Sequence, residues 1–198
     1  MTERPISRFP VPKLDELPED IRARILAVQE KTGFVPNVFL ALAHRPAEWR
    51  AFMAYHEALM EVEPDARRTL TKAEREMIVV ATSGANDCLY CVIAHGAILR
   101  LRAKNALLAD QLAVNPLRAE LTERQRAMIA FALKVARESQ AVDERDFEAL
   151  AAHGFTPDDV WDIAAITAFF AMSNRLANVA AIRPNDEFYL MGRLPKAG

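Results

Sequence analysis

The chain has 198 residues, 52% of them hydrophobic and 26% charged, with a formal net charge of -2. That balance excludes an intrinsically disordered chain, and the length allows one domain or two fused halves with a core that needs no disulfide staple. Lys and Arg are scattered among acids and form no basic stripe, which argues against nucleic acid as a partner.

The opening stretch MTERPISRFPVPKLDELPED interrupts its apolar residues with Pro and charge and offers no signal-peptide core. No apolar run approaches the roughly 18 residues that cross a bilayer, the longest being cut by Asn174 and Arg175. A cytoplasmic, reducing compartment and no membrane partner are the expectation.

Apolar residues recur at helical spacing throughout, and no strand pattern is convincing, so the sequence predicts an all-α fold. A first helix is expected from about Glu19 to Lys31, begun after Pro18 and stopped at Gly33. Pro36 leads into a short helix reaching about His44. Pro46 then sits where a first-turn proline belongs, and Trp49, Phe52, Met53, Leu59 and Met60 form the buried stripe of a third.

Thr71 and Glu74 make a capping box, which fixes the start of a helix running through Met77, Ile78, Val79 and Val80 to Gly84. Asn86 or Asp87 is expected to cap the next helix, which carries Cys88 and Cys91 in its first turns and ends near Arg102. Further helices are predicted near Asn105 to Leu112, Thr122 to about Glu138, Asp143 to His153, and Thr156 to about Ala180. The tail from Arg183 is too rich in Pro and Gly for a helix, yet Phe188, Tyr189, Leu190 and Met191 need a hydrophobic berth, so it is expected to drape over a neighbour.

The predicted organisation is a single domain over 1–198, with N-terminal helices to about 68, a cysteine-bearing core over about 69–115, a second helical segment over about 116–182 and an extended tail over 183–198. LTKAEREMIVVA from Leu70 echoes LTERQRAMIAFA from Leu121, 51 residues on, with Ala127 where the first copy has Glu76. Either an old duplication or a shared cap pattern accounts for the echo.

Two cysteines three residues apart carry the chemistry. In a reducing compartment C-x-x-C points to redox or metal chemistry, because a crosslink closing so short a loop stabilises little. On a helix Cys88, Cys91 and His95 fall within about 60° of one another and can meet the same reactant. A thiol attacks as thiolate. Helix-start amides favour the anion most at Cys88, whereas His95, one turn beyond Cys91, can take that residue's proton, which makes Cys91 the expected nucleophile and Cys88 the resolving thiol. Glu76 on the preceding helix can orient the imidazole if Gly84 lets the two helices fold together, although spacing alone does not select it over Glu74. The bland alternatives are two cysteines that are merely small buried residues, a structural histidine and a solvated acid. A zinc site would use the same cysteines and histidine, with His44, His56 and His153 on other helices.

The run from Glu76 to His95, with C-x-x-C twelve residues after the acid and the histidine four beyond the second cysteine, resembles the AhpD-like alkylhydroperoxidase and carboxymuconolactone decarboxylase family. GFVPNVF from Gly33, SNRLA from Ser173 and RPNDEFYLMGR from Arg183 are similar to its peroxidase-related subgroup. The resemblance implies an all-α fold with an internal helical repeat, assembled as a trimer or as a hexamer of three dimers. It implies that Cys91 is peroxidatic and Cys88 resolving, with His95 and Glu76 as the proton relay. It further implies a hydroperoxide substrate, no bound cofactor or metal, and an external dithiol or lipoyl-protein reductant. Other readings are a thiol-independent lactone decarboxylase, a non-catalytic redox-switch oligomer and a general thiol–disulfide oxidoreductase.

Overall fold

The computed structural model describes residues 4–193; within them every regular element is helical. In chain order the helices are α1 (Glu19–Thr32), α2 (Asn37–Leu42), α3 (Pro46–Met60), α4 (Lys72–Ala85), α5 (Leu89–Ala103), α6 (Leu108–Val114), α7 (Glu123–Glu138), α8 (Glu144–Ala152), α9 (Pro157–Ala180) and α10 (Glu187–Leu190).

Local chemistry sets most of these boundaries. Gly33 ends α1 in the left-handed conformation, with φ 87°, where a residue lacking Cβ pays no steric penalty. Pro46 occupies the first turn of α3. Thr71, Thr122, Asp143 and Thr156 each cap a helix with a complete capping box. The two echoed segments thus share their cap chemistry, Thr71 with Glu74 and Thr122 with Gln125.

Helix α4 is the centre of the molecule. Every residue from Glu74 to Ser83 is buried, and the helix packs against α5, α6, α7 and α9. A helix enclosed on all sides must satisfy its polar groups internally. Arg75, fully buried, satisfies its two terminal nitrogens by donating to Asp162 Oδ2 at 2.7 Å and to the Leu59 carbonyl at 2.8 Å, while its Nε has no partner, and Arg68 holds the same Asp162 with two bonds of 2.9 Å.

Helix α9 corrects one sequence expectation. By length and composition it is apolar enough to cross a bilayer. Half of that window is buried within the protein, and Asp159, Asp162, Thr167, Ser173 and Asn174 are buried along the helix, a pattern of polar groups that fits a core helix.

The tail differs too. It forms one helical turn, α10, whose Phe188 is buried edge-on against Phe34 at 4.9 Å and faces Tyr90 at 6.5 Å. The berth therefore lies within this chain, while Tyr189 and Leu190 remain exposed. Arg100 secures the turn by donating to the Phe188 and Met191 carbonyls at 2.7 and 2.8 Å. The last five positions of the predicted tail, 194–198, lie outside the described residues.

Candidate active site

The junction between α4 and α5 is built differently from the sequence expectation. Gly84 is an ordinary helical residue, and its role is close packing: a Cβ there would stand 2.7 Å from the Ala113 carbonyl oxygen of α6. Helix α4 runs past it to Ala85, Asn86 serves as its C-cap, and the chain reverses at Asp87 with φ 51°. Short polar Asp tolerates that left-handed geometry better than most side chains.

Neither Asn86 nor Asp87 caps α5. Cys88 does, its sulfur accepting the Cys91 amide hydrogen at 3.4 Å, while its own amide donates to the Ser83 carbonyl at 3.0 Å. Cys88 therefore stands at the cap and Cys91 within the first turn. Their sulfurs are 2.6 Å apart, unlinked, and both side chains are buried.

Both sulfurs lie among Phe34, Ala41, Tyr90, Ala94, Ala177, Ile182 and Phe188. In that setting the pair divides its ionisation unequally. The hydrogen bond from Cys91 holds the Cys88 thiol below its usual range, helped by the helix-start amides. Cys91 is held above its usual range by that same bond, by burial and by the charge on Cys88. Of the two thiols Cys88 is therefore the readier to ionise, as the helix-start amides suggest, whereas the expected nucleophile is Cys91.

Glu76 is selected over Glu74 by the fold. Glu74 is occupied at the start of α4, accepting from Thr71 and facing Arg124. Glu76, two residues on, points to α5 and accepts the Nδ1 hydrogen of His95 at 2.8 Å, and Arg102 Nη1 lies 3.3 Å from its other oxygen. With Nδ1 so engaged, His95 keeps Nε2 as its basic nitrogen. No direct hydrogen bond joins His95 to either sulfur among the described residues. The structure brings together the dyad Glu76–His95 and the pair Cys88–Cys91 on one helix, with His95 one turn beyond Cys91.

Three further residues come close to the site from helices the sequence did not connect with it. His56 of α3 lies 6.1 Å from His95 between ring centroids, and Phe170 packs edge-on to both rings. Burial, then the proximity of His95, lowers its pKa to about 4, so it is a neutral imidazole. Ser173 and Asn174 are buried on α9, and Asn174 bonds the end of α4, donating to Ser83 Oγ at 3.0 Å and accepting from Asn86 Nδ2 at 2.9 Å; Asn174 favours ionisation of both thiols, and Ser173 that of Cys91. The available signal was Asn174 itself, a polar residue interrupting the longest apolar run. Tyr90, between the two cysteines, is buried, and its hydroxyl accepts the Val38 amide hydrogen at 3.3 Å.

Fold and site together define an all-α protein with two free thiols and a carboxylate–imidazole dyad at one helix junction. The carboxymuconolactone decarboxylase family profile matches residues 46–114. The chain belongs to that family, in its AhpD-like, peroxidase-related branch. It is 66% identical to an uncharacterised peroxidase-related protein with an AhpD core from Ralstonia eutropha JMP134, covering 98% of this chain and 100% of that one at a TM-score of 0.94. It is 39% identical to a second such protein, from Silicibacter sp. TM1040, over 98% and 99% of the two chains at a TM-score of 0.89. The debrominase Bmp8, whose crystal structure holds 2,3,4-tribromopyrrole, is 19% identical over 96% of each chain with a TM-score of 0.73, a likeness of fold. A comparison with curated proteins finds no match.

Proposed function

We propose that the protein is a thiol-dependent peroxidase of the alkylhydroperoxidase type. The observation that carries this reading is the pair of free sulfurs 2.6 Å apart at the start of α5, on the helix that also bears the Glu76-bound imidazole. In the proposed cycle His95 Nε2 takes the proton of Cys91, and the Cys91 thiolate attacks the O–O bond of a hydroperoxide. An S–O bond forms, the O–O bond breaks, and the departing alkoxide receives the proton from His95 to leave as an alcohol. The Cys88 thiol then attacks the sulfenic sulfur, an S–S bond forms as the S–O bond breaks, and the departing hydroxide takes the Cys88 proton to leave as water. An external dithiol, such as a lipoyl group on a partner protein, restores the two thiols and is itself oxidised to a disulfide. A cytoplasmic setting suits a site that must be reduced after each turn.

A second reading exchanges the two cysteines. It is favoured by the Cys91 hydrogen bond and the helix-start amides, which lower the pKa of Cys88 while Cys91 is raised. Thiol labelling before and after stoichiometric cumene hydroperoxide tests both. In the wild type both thiols should disappear into an intramolecular disulfide; in Cys88→Ser a sulfenic acid should be trapped at Cys91. Trapping only in Cys91→Ser selects the exchanged assignment, and labelling that never changes defeats the peroxidase reading. A lactone decarboxylase activity, by contrast, would survive replacement of both cysteines by Ser.

Self-association is part of the proposal. An apolar hollow of about 570 Å³, lined by Phe9, Trp49, Phe52, Met172, Leu176 and Val179 among others, opens along α9, and its last three side chains are exposed. Light scattering should return a trimer or hexamer, and a monomer at micromolar concentration would remove this element.

A further inference from the structure

Glu76 is a buried acid whose two oxygens are held from two sides. Its side chain is 2% exposed, Oε2 accepts the Nδ1 hydrogen of His95 at 2.8 Å, and Oε1 lies 3.3 Å from Arg102 Nη1. Among the described residues Arg102 is the only Lys or Arg in an ion pair with it.

Arg102 stands in the last turn of α5, two turns beyond His95, and is itself fixed at several points. Its Nη2 donates to Glu61 Oε1 at 2.5 Å, and its Nη1 reaches the Met60 and Lys72 carbonyls at 3.4 and 3.5 Å. Lys72 Nζ lies 3.6 Å from the other Glu61 oxygen and pairs with exposed Glu63. Charges of alternating sign thus run inward from the surface, Glu63, Lys72, Glu61, Arg102 and Glu76, and stop at His95.

A buried carboxylate without a cation beside it takes up a proton or draws one onto its neighbour, because uncompensated charge is costly away from water. The neighbour here is an imidazole, a stronger base than a carboxylate, so that proton would go to the ring and occupy Nε2. Nε2 is the nitrogen that the proposed cycle needs bare. The other groups around the dyad supply no positive charge: His56 of α3 is a neutral imidazole, Glu61 at the end of α3 is an acid, and Phe170 of α9 packs edge-on to the His95 ring. Lys72 is engaged by Glu61 and Glu63.

We propose that Arg102 is the positioning residue of the dyad: its charge lets Glu76 remain a carboxylate while His95 Nε2 stays free of hydrogen at neutral pH, and Glu61 holds the guanidinium in place. The inference rests on the reading of Glu76 and His95 as the proton acceptor of the thiol pair. Arg102 touches no reacting atom and acts through Glu76.

The test uses the full-length reduced protein carrying isotope-labelled histidine, and no peroxide. Nitrogen NMR at neutral pH reports which ring nitrogen bears hydrogen, and the His95 signals are identified by their loss in His95→Gln. In the wild type Nδ1 should bear hydrogen and Nε2 none. In Arg102→Met and Arg102→Gln, which remove the charge, the unprotonated Nε2 signal should be lost and reappear at the protonated position. Arg102→Lys, which keeps a cation, should return it toward the wild-type position. If Arg102 served only to hold the Met60 and Lys72 carbonyls, Nε2 would stay bare in all three variants. A thermal melt establishes which neutral variant folds, and one suffices. A wild type whose Nε2 already bears hydrogen, or a folded neutral variant whose Nε2 does not, overturns the proposal. A wild type with the expected ring that nonetheless resists cumene hydroperoxide removes the peroxidase reading and leaves this one standing.

Discussion

Glu76 Oε2 and His95 Nδ1 are 2.8 Å apart, on two helices separated in sequence only by residues 86–88. The reversal at Asp87 therefore does two things: it starts the cysteine helix and turns that helix back along α4, so that an acid near the beginning of α4 meets a histidine in the middle of α5. Glu76→Gln keeps the size of the side chain and removes the charge that orients the imidazole. Disulfide formation in response to peroxide, followed by stopped-flow loss of thiol, should slow about 100-fold, within the usual range for loss of acid–base assistance. A variant as fast as the wild type would take Glu76 out of the mechanism.

Half-buried, neutral His56 makes stability depend on pH. Its folded pKa is about 4 against an ordinary 6.5, because burial first, and then His95 and Arg102, disfavour its charged form more than Glu76 and Glu61 favour it. Between those values the unfolded chain binds a proton that the folded chain refuses, so acidification favours unfolding. Stability should fall as the pH drops from about 6.5 toward 4, with a full contribution on the order of 3 kcal/mol. Urea melts across that interval should show the slope in the wild type and a flatter one in His56→Gln.

The Arg75–Asp162 bond spans α4 and α9 with both side chains buried. Asp162→Ala strands the guanidinium and should cost about 3–5 kcal/mol in denaturant unfolding. The double variant Arg75→Met with Asp162→Leu should cost much less than the two single losses added together. Equal and additive losses would mean the pair acts only through packing volume.

Gly84→Ala adds the better helix former, worth about 1 kcal/mol by propensity alone. The added methyl would meet the Ala113 carbonyl oxygen at 2.7 Å, and backbone cannot step aside as a side-chain tip can. A net loss of about 1–3 kcal/mol is expected in thermal or urea melts. A stabilised variant would show that α4 and α6 separate readily.

Most of the architecture was legible because its punctuation is local: Gly33, Pro46 and the threonine caps each act within one turn of themselves. The site was legible as far as it lies on two adjacent helices, which is why Glu76, Cys88, Cys91 and His95 could be named from spacing. What spacing could not show was that a cysteine would serve as the cap of α5, or that Asp87 and not Gly84 would make the turn. Both follow from close packing against α6 and from the backbone bond between Cys88 and Ser83. His56, Ser173 and Asn174 arrive from α3 and α9, and nothing local to those helices states what they will face.

Arg100 grips the chain end through the carbonyl oxygens of Phe188 and Met191, groups that every amino acid supplies. Such a grip is blind to side-chain identity. Elsewhere in the terminal segment identity counts: the Phe188 ring fills a place beside Phe34, Gly192 at φ 73° leaves no room for a Cβ against Arg100, and Arg193 holds Asp110 with two bonds, so among homologues Met191 should vary more than these.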